Sequence, residues 1–313
     1  MKKKLRIALI AGGKSGEREV SLAGAAGVAK ALAPEKYEVR RYDPATDLAR
    51  IVADAEGIDM AFILLHGPLG EDGTMQGFLD LLGIPYQGAG VLGSAMAMDK
   101  NLAKLLYRNA GLTVAAWEMA RPEDARDPGR LLAALSLPLV VKPVRQGSSL
   151  GMSIAATESE LAQGLEKAFR FDREVMVEEY VRGREITGGV IGNSELVALP
   201  LVEIIPGEGY AFFDYQAKYQ PGASREVCPA ELDPETTATA QGIALAAHRA
   251  LQLRGYSRTD MIVAQDGIYV LETNTIPGMT PTSLLPQAAR AYGLDFPALL
   301  DRLIELALEG RQG

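Results

Sequence analysis

Short apolar runs and segments whose apolar residues recur every three or four positions take turns along the first part of the chain. The runs over 7–11, 37–42, 60–65 and 84–87 predict strands, and the segments over 21–32, 47–55 and 73–82 predict amphipathic helices. This rhythm implies a parallel sheet covered by helices, with ligands beyond the carboxyl ends of its strands. Two of those ends are chemically loaded. Gly12-Gly13-Lys14-Ser15-Gly16-Glu17 follows the first strand, and His66-Gly67-Pro68-Leu69-Gly70-Glu71-Asp72-Gly73 follows the third.

Beyond residue 90 the pattern predicts a helix over 91–109, a strand over 114–119, and a polar segment over 121–130 that opens another helix. A strand over 137–142 and a strand over 174–181 enclose a helix announced by the capping box Thr157-Glu158-Ser159-Glu160. Strands over 186–191 and 196–205, a polar excursion over 206–228 and a long helix over 234–251 come next. Strands over 260–264 and 268–272 then form a hairpin, and helices over 286–292 and 297–308 close the chain. Gln265-Asp266-Gly267 reads as a three-residue hairpin loop with glycine at the left-handed position. That length sets Ala264 opposite Ile268 and Asp260 opposite Glu272, whereas a two-residue Asp266-Gly267 turn would set Thr273 opposite Asp260.

Composition changes the picture only by exclusion. The 313 residues are 48% hydrophobic and 23% charged, an ordinary globular balance long enough for two or three domains. A net charge of -8 argues against nucleic acid or an anionic membrane as partner. The single cysteine, Cys228, excludes an internal disulfide framework and fits a reducing compartment. The basic start with its short apolar run imitates a signal peptide, but Arg6 interrupts it and no small-residue cleavage site follows. No apolar run approaches the ~18 residues of a membrane helix, so the expected location is cytoplasmic.

Candidate chemistry concentrates in two places. Glu272 and Asn274 share one strand face, and Asp260 stands opposite Glu272, so hard oxygen donors suited to Mg²⁺ converge. A surface hairpin with ordinary polar decoration has the same pattern. In Lys142-Pro143-Val144-Arg145-Gln146-Gly147-Ser148-Ser149-Leu150-Gly151, a lysine closes a strand and small residues offer backbone amides, a combination suited to phosphate. Unliganded Ser/Gly loops are also common. Glu178 and Glu179, with Glu185 just beyond, suit ribose hydroxyls and an adenine amino group. Two patterns mislead. Ala8 to Ser15 is one glycine short of a phosphate-wrapping loop, and the missing glycine falls inside a strand. Gly88-Ala89-Gly90-Val91-Leu92-Gly93 satisfies a dinucleotide fingerprint but follows a very short strand and lacks the distal acidic residue, so it reads as a glycine-rich junction. His248 reads as structural.

Taken in order, the segments starting at Gly12, Leu65-His66-Gly67, Met98-Asp99-Lys100, Val141-Lys142-Pro143, Gly147-Ser148-Ser149, Tyr215 to Tyr219 and Leu271-Glu272-Thr273-Asn274 resemble the D-alanine–D-alanine ligases of the ATP-grasp superfamily from Ile7 to about Leu308. The resemblance implies an α/β (α+β overall) fold in three domains: an N-terminal parallel-sheet domain (1–90), a central ATP-binding part (91–185) and a C-terminal catalytic and metal-binding part (186–313). It implies ATP, two Mg²⁺ (Mn²⁺ as substitute) on Asp260, Glu272 and Asn274, and D-alanine as substrate. It assigns Lys100, Lys142, Ser148, Ser149 and Lys218 to the nucleotide, Glu178 to adenine and Glu185 to ribose. Glu17 would grip the ammonium of the first D-alanine, with Ser148 and Tyr219 completing its hydrogen-bonded set. His66, Glu71 and Lys218 would stand near that substrate. Arg258 and the Gly278 amide would hold the oxyanion, and Ser283 and Leu284 the second carboxylate. A homodimer is also implied.

Several residues depart from the family pattern: Pro68, Gln146, Gln216 and Thr282. They put the shape of the second-substrate pocket in question, while Tyr219 and neutral Leu284 favour D-alanine over D-lactate. The alternatives are a same-fold ligase for D-lactate, D-serine or another D-amino acid, a silent ATP-binding homologue, and, more remotely, a dinucleotide oxidoreductase. The excursion over 206–228 is expected to act as a lid over the acylphosphate.

Overall fold

A computed structural model describes residues 3–147, 149–207 and 224–309. The lid expectation falls largely on 208–223, and Ser148, Lys218 and Tyr219 also lie outside the described residues.

Strand β1 (Leu5–Ile10) lies between β2 (Tyr37–Tyr42) and β3 (Met60–Ile63), paired in parallel with both. β3 is buried throughout, as a sheet covered on both faces demands. Helices α1 (Arg18–Ala31), α2 (Leu48–Asp54) and α3 (Thr74–Leu81) connect and follow these strands. α1 starts at Arg18 rather than Ser21, which leaves Glu17 at its N-terminus. The strand expected over 84–87 shrinks to one bridge between Tyr86 and Ala61. Beyond it the Gln87 side chain takes over: its Oε1 accepts from Ile63 N at 2.9 Å and its Nε2 donates to Ile63 O at 2.6 Å.

The helix expected over 91–109 is two helices, α4 (Val91–Met98) and α5 (Lys100–Asn109). Asp99 between them is extended, and its carboxylate accepts from Leu102 N at 3.0 Å, capping α5. The glycines of the false fingerprint serve packing. A Cβ at Gly93 would meet Leu253 at 2.9 Å, and one at Gly88 would meet Tyr256 at 3.1 Å.

An antiparallel sheet in the order β4-β7-β5-β6 follows: β4 (Trp117–Ala120), β5 (Leu139–Pro143), β6 (Ser153–Ala155) and β7 (Val175–Glu179). Helices α6 (Gly129–Ala134) and α7 (Glu158–Ala168) cover it, with Leu131, Leu161 and Leu165 packed among Leu139, Val141 and Val177. The Thr157–Glu160 capping box starts α7 as expected.

The remaining sheet runs β11-β10-β8-β12-β13, with β9 on β8: β8 (Arg184–Gly192), β9 (Leu196–Ala198), β10 (Val202–Pro206), β11 (Ser224–Val227), β12 (Gly255–Ala264) and β13 (Gly267–Asn274). The run over 196–205 is thus two strands, because the chain leaves β8 after β9 and rejoins it as β10 while Leu199 and Leu201 stay buried. Helix α8 (Pro234–Ala250) packs on this sheet. Helices α9 (Leu284–Tyr292) and α10 (Phe296–Glu309) return to the first sheet, where Leu299, Leu300 and Leu303 share a core with Ile7, Leu9 and Phe62.

The hairpin differs from expectation in its route. β12 and β13 close at Ala264–Gly267, so the loop is the two residues Gln265-Asp266. Continued evenly, that ladder would place Leu271 opposite Asp260. The register shifts between Met261 and Asp260, leaving Leu271 without an opposite residue and setting Glu272 against Asp260. The expected pair forms, by a shorter turn and a bulge.

Candidate active site

A cleft of about 1200 Å³, counted out to its open mouth, lies between the second and third sheets. Lys142, at the end of β5, and Glu178, on the neighbouring β7, form one wall; Glu185, Asp260, Ile262, Leu271 and Glu272 form the other. Lys100 and Ser149 also line it. The bulge explains why two consecutive residues, Leu271 and Glu272, both reach the cleft, since a regular strand would turn them to opposite faces. Val140, Ile154, Ile262 and Leu271 make the walls partly apolar, as the faces of a flat ring require.

Three charges interlock at the inner wall. Lys142 Nζ lies 2.6 Å from Glu178 Oε1, and Lys104 Nζ pairs with Glu178 Oε2. Burial alone would raise the Glu178 pKa, but Lys142 and Lys104 outweigh it and hold the carboxyl below its ordinary value. Burial lowers Lys104. Helix α5 supplies both Lys104 and Lys100, whose Nζ donates to Gln146 O at 2.7 Å and stands 3.5 Å from Glu272. Its Asp99 cap also accepts from Arg145 Nη2 at 2.9 Å, so the helix start is tied to the loop after β5. That loop turns at Ser149 and Gly151, which have φ of 57° and 77°.

At the hairpin, Asp260 is gripped from several sides. Arg258 Nε and Nη2 donate to its two oxygens at 2.9 and 2.8 Å, Asn274 Nδ2 donates at 3.1 Å, and Thr187 Oγ1 at 2.6 Å. Burial would lower Arg258, yet Asp260 beside it keeps the guanidinium above its ordinary pKa. On the reverse face, Tyr107 of α5 donates to Thr273 at 2.8 Å, anchoring the hairpin to the helix that carries the lysines.

Arg258 also leads to a second group. It acts electrostatically on His66, which burial drives to lower pKa while Glu17 opposes, and Glu71 in turn acts on Arg258. Burial, reinforced by Glu17, pushes Glu71 up to about 8 against backbone hydrogen bonds from Gly67 and Ile276. Glu17 is buried so tightly that a Cβ on Gly147 would lie 2.7 Å from its Oε2, and one on Gly67 3.2 Å. The Gly67–Ile276 link through Glu71 places this group beside the segment that carries Gly278. A Cβ there would meet Ser283 Oγ at 3.0 Å. Ser283 precedes α9, and its Oγ accepts from Thr280 N at 3.1 Å. The Leu284 side chain is core, so only its backbone amide, which as a first-turn donor has no partner within the helix, can face a substrate.

The expected residues thus gather in two adjoining groups. Lys100, Lys142, Ser149, Glu178, Glu185, Asp260 and Glu272 share the cleft, with Asn274 on Asp260. Glu17, His66, Glu71 and Arg258 adjoin it. Sequence reasoning missed Lys104 and Thr187. The one-turn spacing of Lys100 and Lys104 was a usable signal, since such residues share a helix face. Thr187 carried none, because it meets Asp260 only through the pairing of β8 with β12.

The donors fit a divalent cation held against phosphates. Mg²⁺ commonly takes one or two carboxylates and completes its shell with water and phosphate oxygens, and two carboxylates with a carboxamide are what the hairpin offers. No group of three histidine, cysteine or acidic residues that could hold a metal occurs among the described residues.

Comparison with known proteins agrees over nearly the whole chain. The family model for the D-ala D-ala ligase C-terminus matches residues 106–305, and that for the D-ala D-ala ligase N-terminus matches 43–89. A D-alanine–D-alanine ligase of Desulfotalea psychrophila is 61% identical, covering 99% of this chain and 97% of that protein. Among solved structures, a D-alanine–D-alanine ligase from Bacillus anthracis complexed with ATP has a TM-score of 0.86 at 35% identity, covering 98% of this chain and 99% of its own. The VanG D-Ala:D-Ser ligase from Enterococcus faecalis has a TM-score of 0.84 at 33% identity, covering 97% and 100%.

Proposed function

Since the chain belongs to the D-alanine–D-alanine ligase family, with its ATP-grasp fold, we propose that it joins two D-alanine molecules at the expense of ATP, releasing ADP and phosphate for peptidoglycan precursor synthesis. The observation that carries this reading is the cleft itself, where Lys100 and Lys142 face the Asp260–Glu272 pair across apolar walls.

ATP lies with its base between Val140, Ile154, Ile262 and Leu271, its amino group on Glu178 and its ribose on Glu185. Lys100 and Lys142 hold the phosphates. Asp260, Glu272 and Asn274 would hold two Mg²⁺, whose positive charge would offset that of the phosphates. Glu17 fixes the ammonium of the first D-alanine, beside His66 and Glu71, so that its carboxylate attacks the γ-phosphate and becomes an acylphosphate. This step is needed because a free carboxylate has no adequate leaving group. The amine of the second D-alanine then attacks the carbonyl. Arg258 and the Gly278 amide stabilise the resulting oxyanion, each donor contributing on the order of 3 kcal/mol. Ser283 and the Leu284 amide orient the second carboxylate. Ser148, Lys218 and Tyr219 keep the roles that the family resemblance gives them.

Division near residues 90 and 185, a homodimer and a cytoplasmic location belong to the same proposal. The separate sheets support the first, the family resemblance the second, and the lone cysteine the third. No helix of the described residues is long and apolar enough to cross a membrane.

The test is phosphate release from ATP with product identification. Release should need both D-alanine and a divalent cation, stop with EDTA, and yield the dipeptide. Phosphate release without dipeptide at saturating D-alanine refutes the proposal. D-serine and D-lactate as second substrates decide among same-fold ligases.

A further inference from the structure

Lys104 is a buried charged side chain beside the cleft that this mechanism leaves without work. It is 1% exposed, does not line the cleft, and pairs with Glu178 from behind the wall. The Trp117 ring lies over its ammonium at 5.0 Å, and Trp117 is itself opposite Glu178 in the β4–β7 ladder. Trp117 Nε1 donates to Asn101 Oδ1 at 2.9 Å, so ring, helix and strand form one support.

Glu178 has one lysine on each oxygen, and the two differ in what they can reach. Lys142 lines the cleft, where phosphate oxygens compete for its charge. Lys104 does not, so its contact persists when Lys142 turns to phosphate. Removing it would leave a 4% exposed carboxylate with a single, divided partner. Such a group gains from taking a proton or drawing Lys142 back. Either response spoils it as an acceptor for the base.

We propose that Lys104 is a positioning residue that selects the nucleobase. From behind the wall it holds the Glu178 carboxylate in place and ionised, so that it accepts from the amino group of adenine and rejects a 6-oxo purine. Adenine presents a donor at that position and guanine an acceptor, and an acceptor facing a fixed carboxylate is penalised on both sides. The inference rests on the reading of this cleft as the ATP site.

Steady-state kinetics with ATP and with GTP at saturating D-alanine test it. Lys104→Met, which keeps the stem and removes the charge, should raise KM for ATP roughly tenfold or more with kcat within about threefold, and lower the ATP over GTP preference in kcat/KM by roughly tenfold. Glu178→Gln should lower that preference similarly, and Lys104→Met added to Glu178→Gln should change KM less than about twofold, since coupled residues are non-additive. Equal loss with both nucleotides, or full additivity with Glu178→Gln, overturns the proposal. Thermal melting checks each fold, with Lys104→Gln as the second variant. Should neither Lys104 variant fold, Glu178→Gln decides: an unchanged ATP over GTP preference overturns the proposal. Wild-type protein that forms no ADP with D-alanine would instead defeat the functional reading, whereas turnover with an unaltered preference in Lys104→Met defeats only the role of Lys104.

Discussion

Glu272 stands where two demands meet: it faces Asp260 across the ladder and lies 3.5 Å from Lys100. Its side chain is 28% exposed, so the fold loses little if its charge is removed. Glu272→Gln keeps the shape and halves the carboxylate charge available to a cation. It should cut kcat by roughly 100-fold or more while moving the melting midpoint by less than about 3 °C. Phosphate release and circular dichroism read the two effects, and retained turnover would remove Glu272 from the metal site. At this scale much was legible. Glu272 and Asn274 at alternate positions of a strand, and Lys142 at the end of another, announce themselves by spacing. Lys104 offered only its one-turn spacing from Lys100, and because a lysine on a helix is ordinarily solvated, it took the fold to put Glu178 over it.

The hairpin shows why an element can be read correctly in outcome and wrongly in route. The sequence allows several turns around Gln265-Asp266-Gly267, and each one-residue change of register exchanges the faces. The structure uses the shorter turn and restores the pairing with a bulge at Leu271, which also turns that apolar side chain into the cleft. Deleting Leu271 should let the ladder run evenly, keep Glu272 opposite Asp260 and remove part of the apolar wall. KM for ATP should then rise roughly tenfold, the equivalent of about 1.4 kcal/mol, with β12 and β13 amides still protected from hydrogen exchange. Loss of that protection would mean the bulge is needed for folding. Helices α4 and α5 make the same point, since their apolar periodicity continues through Asp99 and only the local cap divides them.

Across the whole molecule, stability in acid should depend on His248. It is fully buried in the core between α8 and the third sheet, with Nδ1 on Ser257 Oγ at 2.8 Å and Nε2 without a side-chain hydrogen-bond partner among the described residues. Burial, opposed by a backbone hydrogen bond at Leu253, lowers its pKa from 6.5 to about 4. Between those values the unfolded chain binds the proton and the folded one refuses it. The stabilisation is therefore full above 6.5, falls as pH falls, and is lost below about 4, a change of about 3 kcal/mol. Urea unfolding at pH 7 and pH 4.5 should show this slope, and His248→Gln should flatten it; parallel slopes would contradict the assignment.

The residues alone determined the strand and helix rhythm, the parallel first sheet, and the oxygen donors and lysines that the cleft brings together. They could do so because periodicity, caps and strand-face spacing are local. What tertiary structure decided was non-local. It set the bulge that brings Leu271 and Glu272 to one cleft, the return of α9 and α10 onto the first sheet, the grip of Thr187 on Asp260, and the burial of Lys104 behind Glu178. Each depends on which distant segments share a core, and hydrophobic burial is non-directional, so no stretch of sequence specifies its partner by itself.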